Sequence, residues 1–252
     1  MTRQPSELDK VADAWVDKMA EMSPSFATYI GKPGGEDKLD DASPEGQEED
    51  ARQMRRVLGE VNATATRDKV DEVTKDAMIN SLELGLEMHD AGLWKRDLNV
   101  IASPAQGIRD IFDLSPTANE NDWQNLAKRM RAVPEAIDGY IRSLREGIVA
   151  NDTPAKRQVE FVIRETTELG SAEGFFKKFA AGAKLESGEM PEALKKDIEA
   201  AGQVATEGYA ELAKFLSSEL LPKANKEDAI GRERYALFSR RFLGAKVDLD
   251  ET

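Results

Sequence analysis

The sequence predicts an all-α protein, a multi-helix array of about nine to eleven helices. Three observations lead there. Apolar residues recur at i, i+3, i+4 and i+7 in nearly every segment. No sustained period-two stretch rich in β-branched residues interrupts them. The boundaries between periodic stretches carry capping hydroxyls, prolines and glycines.

The elements follow in order. Leu8, Val11, Ala12, Trp15, Val16 and Met19 form one stripe, and Met54, Val57, Leu58 and Val61 form the next. From Val70 to Met88 the apolar arc is wider, with Val73, Met78, Ile79, Leu82, Leu84 and Leu86, which predicts a helix buried on more than one side. Ile108, Ile111 and Phe112 make a short helix. Trp123, Leu126, Ala127 and Met130 make another, and Ile137, Tyr140, Ile141, Leu144 and Ile148 a separate one after it. Val159, Val162, Ile163 and Thr166 continue the pattern. The longest run carries Leu194, Ile198, Ala201, Ala205, Leu212, Phe215, Leu216 and Leu220, and Pro222 ends it. Tyr235, Phe238 and Phe242 close the series, with Gly231 and Gly244 as helix-end glycines.

Ser43-Pro44, Ser103-Pro104 and Thr153-Pro154 each set a hydroxyl before a proline suited to the first helical position. Thr117 followed by Glu120 fits a capping box. Loops are expected at Gly31 to Pro44 and Glu186 to Pro191, neither long nor biased enough to be an interdomain linker. Residues 1–252 therefore read as a single all-helical region.

Composition narrows the function classes. Of 252 residues 40% are hydrophobic and 33% charged, as in globular proteins. No apolar run approaches a membrane span, and the N-terminus lacks the layout of a secretory signal. The absence of cysteine excludes disulfides, thiolate zinc sites and cysteine nucleophiles. A cytoplasmic location with no membrane partner is the expectation. The net charge of −13 opposes nucleic-acid binding. The basic clusters Arg52, Arg55 and Arg56, Lys177 and Lys178, and Arg232, Arg234, Arg240 and Arg241 read as solvated helix faces.

Candidate chemistry is sparse. Glu83, Glu87 and Asp90 share a helix face, but a two-metal bundle site needs a Glu-x-x-His element on each of two helices, and His89 is the single histidine. His89 points about 200° away from Glu87 and reads as a satisfied, partly buried side chain. No nucleophile elbow or phosphate loop occurs. Phe175, Phe176 and Phe179 read as core. The stretch from Trp94 to Pro104 reads as a structural turn, with an anion-binding helix start as the alternative. No catalytic residue, metal ligand or cofactor is assigned.

Several phrases carry a resemblance. "MSPSFATYIG", "DLNVIASPAQGIRDIFDLSP", "MRAVPEAIDGYIRSLREGI" and "GRERYALFSRRFLGAKVDLDET" occur in that order. Together they resemble the N-terminal half of the bacterial domain-of-unknown-function 885 family, across nearly the whole chain. The resemblance implies a protein about twice this length, similar to the Taq-type zinc carboxypeptidases, with the His-Glu zinc helix in the C-terminal half. It implies zinc only with that half, a peptide substrate only in the complete protein, and the missing half or a complementary chain as partner. It offers Arg232, Arg234 and Tyr235 as candidates for the substrate cleft, with a core or rim role as the alternative reading.

The last residues agree with this. Asp248-Leu249-Asp250-Glu251-Thr252 looks like a helix start without its helix, so the chain reads as the front portion of a larger protein, inactive alone. A freestanding all-α protein-interaction module is the main alternative, and a small carboxylate-only enzyme the third reading.

Overall fold

The computed structural model describes residues 3–250. Among them are ten α-helices and no β-strand: α1 (Glu7–Met22), α2 (Pro24–Tyr29), α3 (Pro44–Ala63), α4 (Lys69–Asp90), α5 (Pro104–Leu114), α6 (Glu120–Val149), α7 (Lys156–Leu169), α8 (Phe175–Ala181), α9 (Glu192–Phe215) and α10 (Arg232–Leu243). The fold is all-α, and the number of helices falls in the range read from the sequence. No helix among the described residues is long and apolar enough to cross a membrane. Contacts gather the chain into two compact units, one of residues 3–18, 47–94 and 227–250, the other of residues 19–46 and 95–226.

The second unit is built on α9, which is buried at Leu194, Ile198, Ala201, Gly202, Ala205, Tyr209, Leu212 and Phe215. Small residues let its neighbours come close. A Cβ on Gly208 would stand 3.3 Å from the backbone of Pro134 in α6. One on Gly202 would stand 2.9 Å from Phe176 O and from Ala180 Cβ in α8, and one on Gly170, just after α7, 2.6 Å from Ala210 N. Buried tyrosines then tie the bundle to the segment before and into α5: Tyr140 donates to Asp97 O (2.6 Å) and Tyr209 to Ala105 O (2.8 Å). Burial pushes both phenols above their ordinary range. The phenylalanines of α8 are core, as read from the sequence. Phe176 is fully buried and meets Phe112 edge-on at 5.2 Å, and Phe179 lies 5.4 Å from Trp123.

Arg129 of α6 is the largest fully buried side chain. Its guanidinium donates to Lys38 O (2.9 Å), Ser115 Oγ (2.7 Å) and Gly35 O (2.8 Å), fastening the loop after α2 to the bundle. Gly35 can offer its carbonyl there because it sits at φ +95°, where a side chain is strained. Burial lowers the Arg129 pKa, while Glu36, Asp40 and Asp37 pull it back up.

In the first unit α1, α3 and α4 bury Leu8, Val57, Val61 and Leu82 together. Asp68 caps α4, accepting from Val70 N and Asp71 N at 3.0 Å each. Arg3 donates to Asp68 (2.9 Å), Asp9 (2.5 Å) and the buried Asp71. The Arg3 bond and then the Asp71 backbone N–H lower the Asp68 pKa to about 2.

Several local expectations are corrected. The two helices expected between Trp123 and Ile148 are one 30-residue helix, α6, running through Pro134. Pro134 gives up one helical hydrogen bond there, and α9 approaches it closely at Gly208. Thr153 does not cap α7, which starts at Lys156; its hydroxyl donates to Lys223 O (2.9 Å). The cap of α6 is Asn119 rather than Thr117, because Asn119 and Asp122 exchange backbone bonds at 3.1 and 3.2 Å. The segment after α1 is a short helix, α2, capped by Ser23. The last turn of the α9 run widens into a π-helical turn, Leu216–Leu220, before Pro222. There Ser217 and Ser218 return hydroxyl bonds to Ala213 O (2.6 Å) and Lys214 O (2.8 Å). α4 is buried on two sides only toward its end, since Leu82 and Leu84 enter different clusters while Val70 and Val73 stay exposed. Asp250 N donates to Asp248 Oδ1 (2.8 Å), as at a helix start; Glu251 and Thr252 lie outside the described residues.

Two outcomes are expected. Arg129→Met removes three donors from buried or half-buried oxygens and lowers unfolding stability by about 2–4 kcal/mol; an unchanged urea midpoint would show that the loop does not depend on it. Asp68→Asn keeps a capping side chain but loses the ion pair with Arg3. A carboxylate with a depressed folded-state pKa stabilises the fold above its unfolded value and loses that effect as pH falls through the folded one. The advantage of the native chain over Asp68→Asn is therefore full above pH ~4 and vanishes toward pH ~2, as compared by urea unfolding at both ends; a constant difference contradicts the assignment.

Candidate functional site

The candidate cleft residues lie on α10 and the acidic face with His89 on α4, both in the first unit. α10 runs between two glycines with positive φ, Gly231 (+85°) and Gly244 (+74°), so its ends are fixed by backbone geometry that other residues rarely adopt. Arg240 anchors it. Its guanidinium donates to Glu87 Oε1 (2.7 Å) and Asn80 Oδ1 (2.8 Å) on α4 and is 7% exposed. Leu237 packs on the cluster of Leu84, Met88 and Leu93. Arg240 is thus not a member of a solvated basic face, a correction to the reading of that cluster.

Arg232 and Tyr235 lie exposed on the first turn of α10, with Arg234 half-buried between them. Arg232 donates to Asp250 Oδ2 (2.7 Å). The three residues share one helix end, with the Tyr235 phenol turned to solvent at 55% exposure.

The acidic face of α4 does not converge. Glu83 is exposed, Glu87 pairs with Arg240, and Asp90 accepts from Arg55 Nη2 (3.0 Å). His89 is only half satisfied. Its Nδ1 lies 3.1 Å from Asp90 Oδ1, and the ring stacks on Trp94 at 6.4 Å. Its buried Nε2 lies 3.3 Å from Glu48 Oε2 but off the line a hydrogen bond needs, and has no hydrogen-bond partner among the described residues. That departs from the fully satisfied histidine read from the sequence. With one imidazole and carboxylates engaged by arginines, these side chains do not fit a zinc site, which takes three or four convergent ligands. Among the described residues no three His, Cys, Asp or Glu side chains are placed to hold a metal ion.

The turn before α5 closes on itself. Asn99 Oδ1 accepts from Ile101 N (2.9 Å) and Ala102 N (2.8 Å), and Gln106 Oε1 accepts from Ser103 N (3.1 Å) and Ser103 Oγ (2.6 Å). Further donors are taken as well, Val100 N by Gln158 Oε1 (3.0 Å) and Gln106 Nε2 by Glu165 Oε2 (2.8 Å), which supports the structural turn over an anion site. A groove of about 520 Å³ lies between α6 and α9, floored by Ile137, Ile141, Val204 and Phe215. At its rim Arg145 pairs with Glu219 (2.8 Å) and covers the Phe215 ring at 5.2 Å. It holds none of the residues chosen from the sequence.

The fold has solved neighbours. A protein of Colwellia psychrerythraea, described as a "putative lipoprotein", superposes with a TM-score of 0.75 at 15% identity, covering 98% of this chain and 48% of its own. A second "putative lipoprotein", from Shewanella oneidensis and of unknown function, gives 0.69 at 15% identity, covering 94% and 42%. The chain thus spans about half the length of these neighbours, and at such identity the likeness is one of fold. No curated protein matches it. The profile of the bacterial proteins of unknown function DUF885 matches residues 24–252, most of the sequence, and the chain belongs to that family.

Proposed function

We propose that this chain is the helical N-terminal portion of a longer zinc-metallopeptidase-like protein and forms one wall of a peptide cleft. The zinc ligands and catalytic base come from the remaining half, which is the partner, and a peptide is the substrate of the complete protein. The observation that carries this reading is the match of nearly the whole chain to about half of a longer solved fold. The residue inventory agrees with it, because a single histidine and no cysteine cannot supply a His-Glu-x-x-His helix. Arg232, Arg234 and Tyr235 face the cleft in this reading, where guanidinium groups suit a peptide carboxylate and the phenol a peptide carbonyl. A cytoplasmic location belongs to the proposal, checked by cell fractionation. A second reading, a freestanding interaction module, draws on the exposed aromatic residues of α10.

Two measurements test it. A full-length family member should hydrolyse peptides with zinc and stop when the metal is chelated, while the 252-residue chain should show no hydrolysis; no turnover by the full-length protein over a broad peptide set, or equal turnover by the chain alone, would overturn the assignment. At the position aligned with Tyr235, Tyr→Phe should raise KM about tenfold, the cost of one lost hydrogen bond near 1.4 kcal/mol. Unchanged KM and kcat would remove Tyr235 from the cleft.

A further inference from the structure

α10 has two faces, and only one has a use in the fold described above. At about 100° per residue, Leu237, Arg240 and Arg241 fall on one side, and Tyr235, Phe238 and Phe242 fall within about 60° of one another on the other. Leu237 and Arg240 meet α4. Tyr235, Phe238 and Phe242 are 55%, 44% and 90% exposed, and Leu243 beside them 57%. A helix facing only water carries polar residues on its outer side. Here the outer stripe is aromatic on a chain whose aromatic content is 6%.

We propose that the Phe238 and Phe242 end of this stripe is the surface on which the remaining half of a longer family protein packs, with Tyr235 at its edge toward the cleft. The inference rests on the reading of the chain as a portion of such a protein and names the surface that reading requires. One observation chooses the occupant. The solved Colwellia neighbour has more than half of its chain outside the region that this fold covers, and in the reading above a piece of comparable size belongs to the complete protein. The face that fits is an apolar strip laid on Phe238 and Phe242, with Arg232, Arg234 and Tyr235 left at the first turn of α10 toward the cleft.

The chain contains no cysteine, so one introduced thiol reports one position. Phe238→Cys is compared with Ile101→Cys, a control 82% exposed on the other unit. In this chain both thiols should react with a maleimide at similar rates. At the aligned positions of a full-length family member with its own cysteines replaced, the Phe238 thiol should react at least about 100-fold more slowly, the protection of a buried site, while the control stays fast. Equal rates in the full-length protein would overturn the proposal. Protection of Phe238→Cys in this chain alone, growing with concentration, would also overturn it and assign the stripe to a second copy. Thermal unfolding of both variants reports folding separately. Labelling does not depend on turnover, so a full-length protein without peptidase activity can still protect the stripe, and the two readings fail independently.

Discussion

The close approach of three neighbours to α9 is the constraint on which the second unit depends. Gly208, Gly202 and Ala210 lie where α6, α8 and the end of α7 come nearest; a Cβ at Gly202 would meet Phe176 O and Ala180 Cβ at 2.9 Å, and one at Gly208 would be tight against Pro134 at 3.3 Å. Interiors are packed to crystal-like density, so a helix can touch three others at once only if it is thin where they cross. α9 meets that condition with small residues and fills the space between with Leu194, Ile198, Tyr209, Leu212 and Phe215. Arg129 extends the same logic outward. A buried guanidinium needs oxygens on every side, and the loop after α2 supplies carbonyls at Gly35 and Lys38. The polar requirement of one side chain thereby fixes a glycine-rich segment that has little apolar surface of its own.

The helices were legible in the sequence because period and punctuation agreed. Ser43 before Pro44 marks the start of α3, where its hydroxyl accepts from Gly46 N (3.0 Å), and the wide arc before Met88 marks a helix that enters two clusters. What misled was local chemistry overridden from a distance. Pro134 has the residue type of a helix end, yet α6 runs through it, at the place where Gly208, far along the chain, brings α9 close. Thr153 has the type of a cap, yet its hydroxyl is taken by Lys223 O, 70 residues on. α2 went unseen because six residues are too few to show a period, although Ser23-Pro24 is the same signal as Ser43-Pro44.

The site was less legible for the same reason. Arg240 and Arg241 are identical letters in a charged run, but Arg240 is buried because Glu87 and Asn80 accept its protons across more than 150 residues. No local pattern separates them. Glu83, Glu87 and Asp90 share a helical face by spacing, and spacing cannot tell that arginines from two other helices, Arg240 and Arg55, divide two of them. For His89 the spacing set it apart from Glu87, but its Nδ1 lies 3.1 Å from Asp90 Oδ1, and Glu48, which meets its Nε2 from α3, could not be foreseen.

The energetics of α10 show why its outer stripe calls for an occupant. A helix of 12 residues is marginal by itself and stands here on its inner face. Leu237 and the two Arg240 bonds provide that footing, while Tyr235, Phe238 and Phe242 keep 55%, 44% and 90% of their surface in water. Full burial of a large apolar side chain is worth about 1.5–3 kcal/mol, and Phe238 and Phe242, already partly covered, leave about 2–4 kcal/mol to be gained by covering them. Net stabilities of domains are about 5–15 kcal/mol. An apolar stripe of that size suits the contact role proposed for it, because polar residues on the same face would keep the chain from self-association.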